Sequence, residues 1–100
     1  MLLTGERIDA AEAVRIGLVS RVVEPEQLLT TAEQLAQKIA GNAPLAVAAV
    51  KRLAQIGIEM PLAAGLELEQ HAFGVLRDSE DRIEGRKAFA EKRKPQFQGR

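Results

Sequence analysis

The sequence has 100 residues, of which 46% are hydrophobic and 28% charged, a balance typical of one modest globular domain over residues 1–100. Fourteen basic and fourteen acidic side chains give a net charge of zero, which argues against a general nucleic-acid binder. The lack of cysteine excludes disulfides and thiolate metal sites and fits a cytoplasmic location, and no apolar run approaches the ~20 residues of a membrane span.

The first part of the sequence predicts two helices with one short strand between them. Asp9 begins a capping-box-like pattern at the start of the first helix, and Gly17 suits the left-handed conformation that closes a helix. Residues 18–23 are rich in β-branched side chains and predict a short strand. Because a lone strand is only marginally stable, it would pair with residues 1–5 or with a segment outside this chain. Helical spacing of apolar residues then predicts a second helix over residues 25–40.

The remainder of the sequence predicts three further helices. Pro44 suits the first turn of a third helix that ends near Gly57, and Pro61 begins a fourth. Ser79, after Asp78, is a candidate N-cap for a fifth helix, and Pro95 should stop it. The sequence therefore predicts a mainly α fold of about five amphipathic helices with one short strand.

The fifth predicted helix carries acidic residues near its start and basic residues in its last turns. The acidic residues are Glu80, Asp81 and Glu84, and the basic ones are Lys92, Arg93 and Lys94. This order complements the helix dipole, which stabilises negative charge at the first turn and positive charge at the last. We therefore interpret the acidic group as part of a helix start, with a catalytic carboxylate pair as the alternative.

The residue types and their spacing indicate no catalytic constellation and no metal site. The only histidine, His71, is interpreted as a half-exposed surface residue, and a general base is the alternative. Ser20 and Ser79 have no neighbouring base that would activate a nucleophile. We predict no catalytic residue and no metal ligand in this chain.

Phe89 and Lys92 are three residues apart, a spacing that would place them on one face of a helix. A phenylalanine beside a lysine could stack a nucleobase while the ammonium contacts a phosphate. The alternative is a core phenylalanine followed by a solvated basic turn. The spacing alone leaves both interpretations open.

Four blocks of the sequence, in order, resemble the enoyl-CoA hydratase/isomerase family, also called the crotonase superfamily. The blocks are LTGERIDAAEA at 3–13 with GLVSRVV at 17–23, NAPLAV at 42–47 with Lys51, ELE at 67–69 with Phe73, and SEDRIEG at 79–85 followed by FAEKRKP at 89–95 and FQGR at 97–100. Together they extend over nearly the whole chain.

The resemblance implies that this chain is the C-terminal helical and trimerisation part of a crotonase-like fold. In such proteins an N-terminal ββα-spiral core supplies the oxyanion hole and the catalytic carboxylates, so no residue here would inherit a catalytic role. The core hydrates a 2-enoyl-CoA thioester, or shifts its double bond, through a stabilised enolate. The resemblance also implies no cofactor, acyl-CoA as substrate, and a homo-oligomer, either a trimer or a hexamer.

The resemblance further implies a CoA-binding role for Phe73, Phe89 and Lys92. Aromatic and basic side chains at the matching positions of similar proteins lie near the adenosine-phosphate end of CoA, partly across a subunit boundary. A different class of function stays open beside this one: a stand-alone, non-enzymatic helical module that serves oligomerisation.

Overall fold

The computed structural model describes residues 1–100 and contains five α-helices. They are α1 (Ala10–Arg15), α2 (Leu28–Ala40), α3 (Pro44–Gly57), α4 (Leu62–Arg77) and α5 (Glu80–Ala90), with a single 3-10 turn at Pro25–Gln27 before α2. None of these helices is long and apolar enough to cross a lipid bilayer. The mainly α prediction with five helices is therefore confirmed.

The contacts divide the chain into two compact units, Met1–Leu35 and Ala36–Arg100. The first unit holds α1 and the beginning of α2, and its buried apolar residue is Ala13. The second unit holds the rest of α2 and all of α3, α4 and α5, and its buried apolar residue is Ala88. A single domain over residues 1–100 stays a prediction.

Both ends of α1 follow the local signals in the sequence. The Asp9 carboxylate accepts a hydrogen bond of 2.7 Å from the Glu12 backbone N–H, which makes Asp9 the N-cap. Gly17 has φ +76°, and its N–H donates to the Val14 carbonyl oxygen. The N–H of Leu18 donates to the carbonyl oxygen of Ala13. This pair of bonds is the Schellman ending that a left-handed residue permits.

The predicted strand at residues 18–23 is wrong. The segment contains bends and extended backbone but no ladder of hydrogen bonds, and residues 1–5 form a turn closed by the Gly5 N–H and the Met1 carbonyl. β-Branched side chains favour an extended backbone, but a strand exists only where another strand supplies the ladder. In this chain no segment does so.

The predicted end of α5 is also wrong, because the helix ends at Ala90 and not near Lys94. Lys92 adopts a left-handed conformation with φ +53°, its N–H donates to the Phe89 carbonyl, and the N–H of Arg93 donates to the carbonyl of Ala88. These bonds form a second Schellman ending, here with lysine in the position that glycine usually occupies. A left-handed conformation costs a non-glycine residue about 1–2 kcal/mol, so other contacts must hold this turn.

Helices α3 and α4 pack against each other within the second unit. Residues 58–61 join them, and so short a link is usual between neighbouring antiparallel helices. Pro44 lies in the first turn of α3 and Pro61 is the N-cap of α4, as the sequence predicts.

Two glycine-to-alanine changes are expected to act in opposite directions. Gly17→Ala places a side chain at φ +76° and should destabilise α1 by about 1 kcal/mol, although nothing lies within 4 Å of the added Cβ. Gly74→Ala also meets open space but lies inside α4, where it should stabilise the helix by about 1 kcal/mol. Amide hydrogen exchange within each helix measures both effects. Equal signs for the two variants would contradict the assigned conformation of Gly17.

Candidate functional site

The turn that follows α5 brings two of the three predicted CoA contacts together. The Lys92 N–H donates to the Phe89 carbonyl at 3.2 Å, and the Phe89 side chain is 87% exposed. The expectation that both residues lie on one helical face is only partly right, since Lys92 stands beyond the helix end. Phe89 is therefore not part of a core formed by these 100 residues.

Arg93, the residue after Lys92, is fixed to α5 by its guanidinium. Nη1 and Nη2 donate to the two carboxylate oxygens of Glu84 at 2.6 and 2.9 Å, and Nε donates to Glu91 at 2.6 Å. A planar guanidinium that binds a carboxylate through two parallel bonds defines both position and orientation. The contact therefore restrains the backbone of the turn at one side of Lys92.

The segment after the turn, residues 96–100, folds back along α5 and is held by the acidic residues of that helix. Asp81 is only 2% exposed, and its two carboxylate oxygens accept the backbone N–H groups of Gln98 at 2.6 Å and Gly99 at 2.8 Å. The Asp81 N–H in turn donates to the Arg100 carbonyl oxygen at 3.1 Å. The Gln96 N–H donates to Glu84 at 2.8 Å.

This anchoring role of Asp81 and Glu84 is missed by the sequence interpretation, which assigns both residues to the helix dipole. Their carboxylates do lie near the start of α5, and Ser79 caps that start by accepting from the Arg82 N–H at 3.2 Å. Their closest partners, however, are backbone N–H groups of residues 96–99 and the guanidinium of Arg93. The only sequence signal is the three-residue spacing that puts both acids on one face of the helix.

The pKa of Glu84 is lowered to about 2, mainly by the hydrogen bonds from the Arg93 guanidinium and next by the hydrogen bond from the Gln96 N–H. The pKa of Arg93 is raised in turn, first by Glu84 and then by Glu91. Both groups are therefore charged across the whole physiological pH range. The ion pair between Glu84 and Arg93 therefore does not change its charge state within this pH range and is not a pH switch.

The depressed pKa of Glu84 predicts where its contribution to stability is lost. A carboxyl with a lowered pKa stabilises the folded state above its ordinary value of 4.5, and that contribution disappears as the pH falls from 4.5 through about 2. The free energy of unfolding should therefore fall more steeply over this window in the original chain than in Glu84→Gln. Parallel pH profiles for the two proteins would contradict the paired state of Glu84.

Phe73, the third predicted contact, lies in a separate cleft of about 400 Å³. The cleft is bounded by the start of α3, the end of α4, the first part of α5 and the Phe97 ring. This ring lies 3.5 Å from the position that a Cβ on Gly85 would occupy. Phe89 and Lys92 are not among its lining residues. The structure therefore joins Phe89 and Lys92 through a backbone hydrogen bond and places Phe73 in a different cleft.

A second concave surface, the α3/α4 groove, has a volume of about 450 Å³ and an apolar floor. Its lining includes Leu45, Leu53, Ile56, Leu68 and Val75, with His71 and Arg52 as its polar members. His71 is exposed, and its Nδ1 lies 2.8 Å from the Glu67 carbonyl oxygen, which fits the surface interpretation. No acid or nucleophile stands with it in the groove.

The comparison with known proteins connects this architecture to one sequence family. Residues 1–100 match the family described as enoyl-CoA hydratase/isomerase. The chain is 56% identical over 99 residues to the (E)-benzylidenesuccinyl-CoA hydratase of Thauera aromatica, a match that covers 99% of this chain and 39% of that protein. It is 44% identical over 106 residues to the carnitinyl-CoA dehydratase of Proteus mirabilis, covering 100% of this chain and 40% of that protein.

Solved structures share the fold as well as the sequence. The crystal structure of an enoyl-CoA hydratase from Bacillus anthracis matches with a TM-score of 0.95 and 42% identity, over 98% of this chain and 38% of that one. An enoyl-CoA hydratase structure from Mycobacterium tuberculosis matches with a TM-score of 0.90 and 36% identity, over 98% of this chain and 39% of that one. The chain thus spans about two fifths of the length of the relatives it matches.

Proposed function

Because the chain belongs to the enoyl-CoA hydratase/isomerase family, we propose that it acts as the C-terminal helical part of an acyl-CoA hydratase/isomerase. The whole protein would add water across the double bond of a 2-enoyl-CoA thioester, or shift that bond, through an enolate held in an oxyanion hole. The observation that carries this proposal is the match of all 100 residues to the family. The 56% identity to a CoA-thioester hydratase supports the hydration chemistry.

The chemistry itself would take place on a core segment outside these 100 residues. A thioester enolate needs preorganised hydrogen-bond donors and an acid or base within reach of the reacting carbons. Here Asp81 and Glu84 are occupied by backbone N–H groups and Arg93, and His71 stands alone in an apolar groove. We therefore propose that the 100-residue chain has no activity by itself.

The turn after α5 would serve the adenosine-phosphate end of CoA. Phe89 is exposed enough to stack on a purine, and Lys92, three residues later, is exposed and takes part in none of the salt bridges. Binding energy from this remote end of the substrate holds the reacting carbons in place on the core. Phe73 keeps its proposed CoA role, although its cleft is separate from this turn.

Oligomerisation is the second role that we propose. Every helix exposes large apolar side chains, such as Val14, Ile39, Val50, Leu66 and Phe89. Exposed apolar surface of this extent is typical of a chain that packs against other protein. We propose that another copy of the chain covers the α3/α4 groove, with a trimer or hexamer in the whole protein; a cytoplasmic location stays a prediction.

The exposed residues proposed to face CoA and the exposed apolar helices favour different functions, and a titration with coenzyme A separates the two functions. Titration of the isotopically labelled chain with coenzyme A, followed by NMR, should shift the amides around Phe89 and Lys92. A chain that serves oligomerisation alone would self-associate and show no shift there. That result would reject the CoA role.

Incubation with crotonyl-CoA tests the proposed division of labour. No hydration should be measurable when the loss of the enoyl-thioester absorbance is followed, because the chain offers no group that can polarise the thioester. Clear turnover that resists His71→Ala would show that another residue of this chain is catalytic. Turnover that this variant abolishes would assign the chemistry to the histidine.

A further inference from the structure

The left-handed turn at Lys92 is not maintained by its own residue type. Lysine lacks the conformational freedom of glycine at φ +53°, and the two Schellman bonds alone are the same ones that α1 forms with Gly17. A turn that carries this penalty persists only where neighbouring contacts determine it. Glu91 contacts Arg93 from within the turn, and the contacts that reach the turn from α5 itself come from Glu84.

We infer that Glu84 is a positioning residue for the proposed CoA contact: by binding Arg93 it holds the adjacent Lys92 in the left-handed turn that follows Phe89. This inference rests on the proposed function of Lys92. It assigns to Glu84 no contact with the ligand. Its action passes through Arg93.

Glu84 restrains the chain after Lys92 through two separate contacts. Its two oxygens bind Nη1 and Nη2 of Arg93 at 2.6 and 2.9 Å, nine residues along the chain. Oε1 also accepts the Gln96 N–H at 2.8 Å. Glu84 thus restrains the chain immediately after Lys92 at two points, with a fork that fixes orientation as well as distance.

The anchor that keeps residues 98–100 on α5 is separate from this contact. Asp81 binds Gln98 and Gly99 through its own carboxylate and does not touch Arg93. When Glu84 is changed, the end of the chain therefore stays attached, while the turn between Ala90 and Pro95 gains freedom. That separation makes it possible to test position apart from folding.

The test is a double-mutant cycle on coenzyme A affinity, measured by NMR titration of the full chain. Glu84→Gln keeps the size of the side chain but removes the charge that fixes Arg93, and it should weaken coenzyme A binding by up to about five-fold, the upper end for an exposed ion pair. Lys92→Ala should weaken it by at least as much. In the Lys92→Ala background, Glu84→Gln should have no further effect, because Glu84 acts through Lys92.

A matched control is Glu80→Gln. Glu80 lies on the same helix as Glu84 but away from the turn, and the change breaks an exposed ion pair of 2.8 Å between Glu80 and Arg100. It should leave coenzyme A affinity unchanged. The amide chemical shifts and the backbone coupling of Lys92 should move in Glu84→Gln and not in the control. The three-bond coupling between the amide proton and Hα of Lys92 reports its φ angle directly.

The possible failures are distinguishable. If Lys92→Ala weakens binding but Glu84→Gln does not, the positioning role is wrong while the CoA role stands. If Glu84→Gln weakens binding equally in both backgrounds, Glu84 acts on the whole unit and not through Lys92, which also overturns the inference. If the original chain shows no binding, the proposed function of the turn fails, and the positioning role fails with it.

Discussion

Asp81→Ala is expected to release residues 98–100 from α5 and to lower the stability of this attachment by about 3 kcal/mol. Two backbone N–H groups lose a buried, charged acceptor, and hydrogen bonds to charged groups contribute about 1.5–3 kcal/mol each. Amide hydrogen exchange at Gln98 and Gly99 measures the effect locally. It does not require that the whole chain unfold in one step.

The matched control is Asp78→Ala, which removes an acidic side chain three residues earlier. Asp78 is exposed, and its carboxylate takes part in no hydrogen bond or ion pair, so exchange at Gln98 and Gly99 should stay unchanged. Asp81→Asn should fall between the two, since an amide oxygen can replace only one of the two acceptors. Protection in Asp81→Ala within about twofold of the original chain would show that residues 98–100 are held by other contacts.

The features of the fold that were predicted correctly depend on residues within one turn of each other. Asp9 and Ser79 cap helices and Gly17 closes one, each by a hydrogen bond to a residue three positions away, and Pro44 starts another helix through its own fixed φ. Such signals can be recognised from a short stretch of sequence alone. The strand at residues 18–23 fails because it depends on a partner strand that its own residues do not encode.

The site was predictable only in part, for the same reason. The proximity of Phe89 and Lys92 follows from their spacing. The early end of α5 is accompanied instead by a contact between Glu84 and Arg93, nine residues apart, and Asp81 is buried with partners 17 and 18 residues away. An acidic residue in the first turn of a helix satisfies the dipole whether or not a distant backbone segment also binds it, so composition cannot distinguish the two cases.

Val75→Lys is expected to weaken self-association of the chain at least about tenfold. Val75 lies in the α3/α4 groove and is 79% exposed, so the change removes no packing within the chain. Burial of a valine against a second copy contributes about 1.5–3 kcal/mol, and a lysine there must instead be desolvated. Because a lysine near the C-terminal end of α4 also suits the helix dipole, the helical content should not fall.

Leu62→Glu provides the comparison that assigns the effect to the groove. Leu62 is 78% exposed at the first turn of the same helix, where a negative charge is favourable, and it lines a neighbouring cleft between α3 and α4 instead of the α3/α4 groove itself. Sedimentation equilibrium over a range of concentrations should show the original chain and Leu62→Glu associating alike and Val75→Lys remaining mostly monomeric. Because the chain carries no net charge, one added charge changes the repulsion between copies equally in both variants, apart from its sign. An equal loss of association in both variants would mean that self-association involves exposed apolar surface along the whole of α4. A loss confined to Leu62→Glu would place the contact at the N-terminal end of α4.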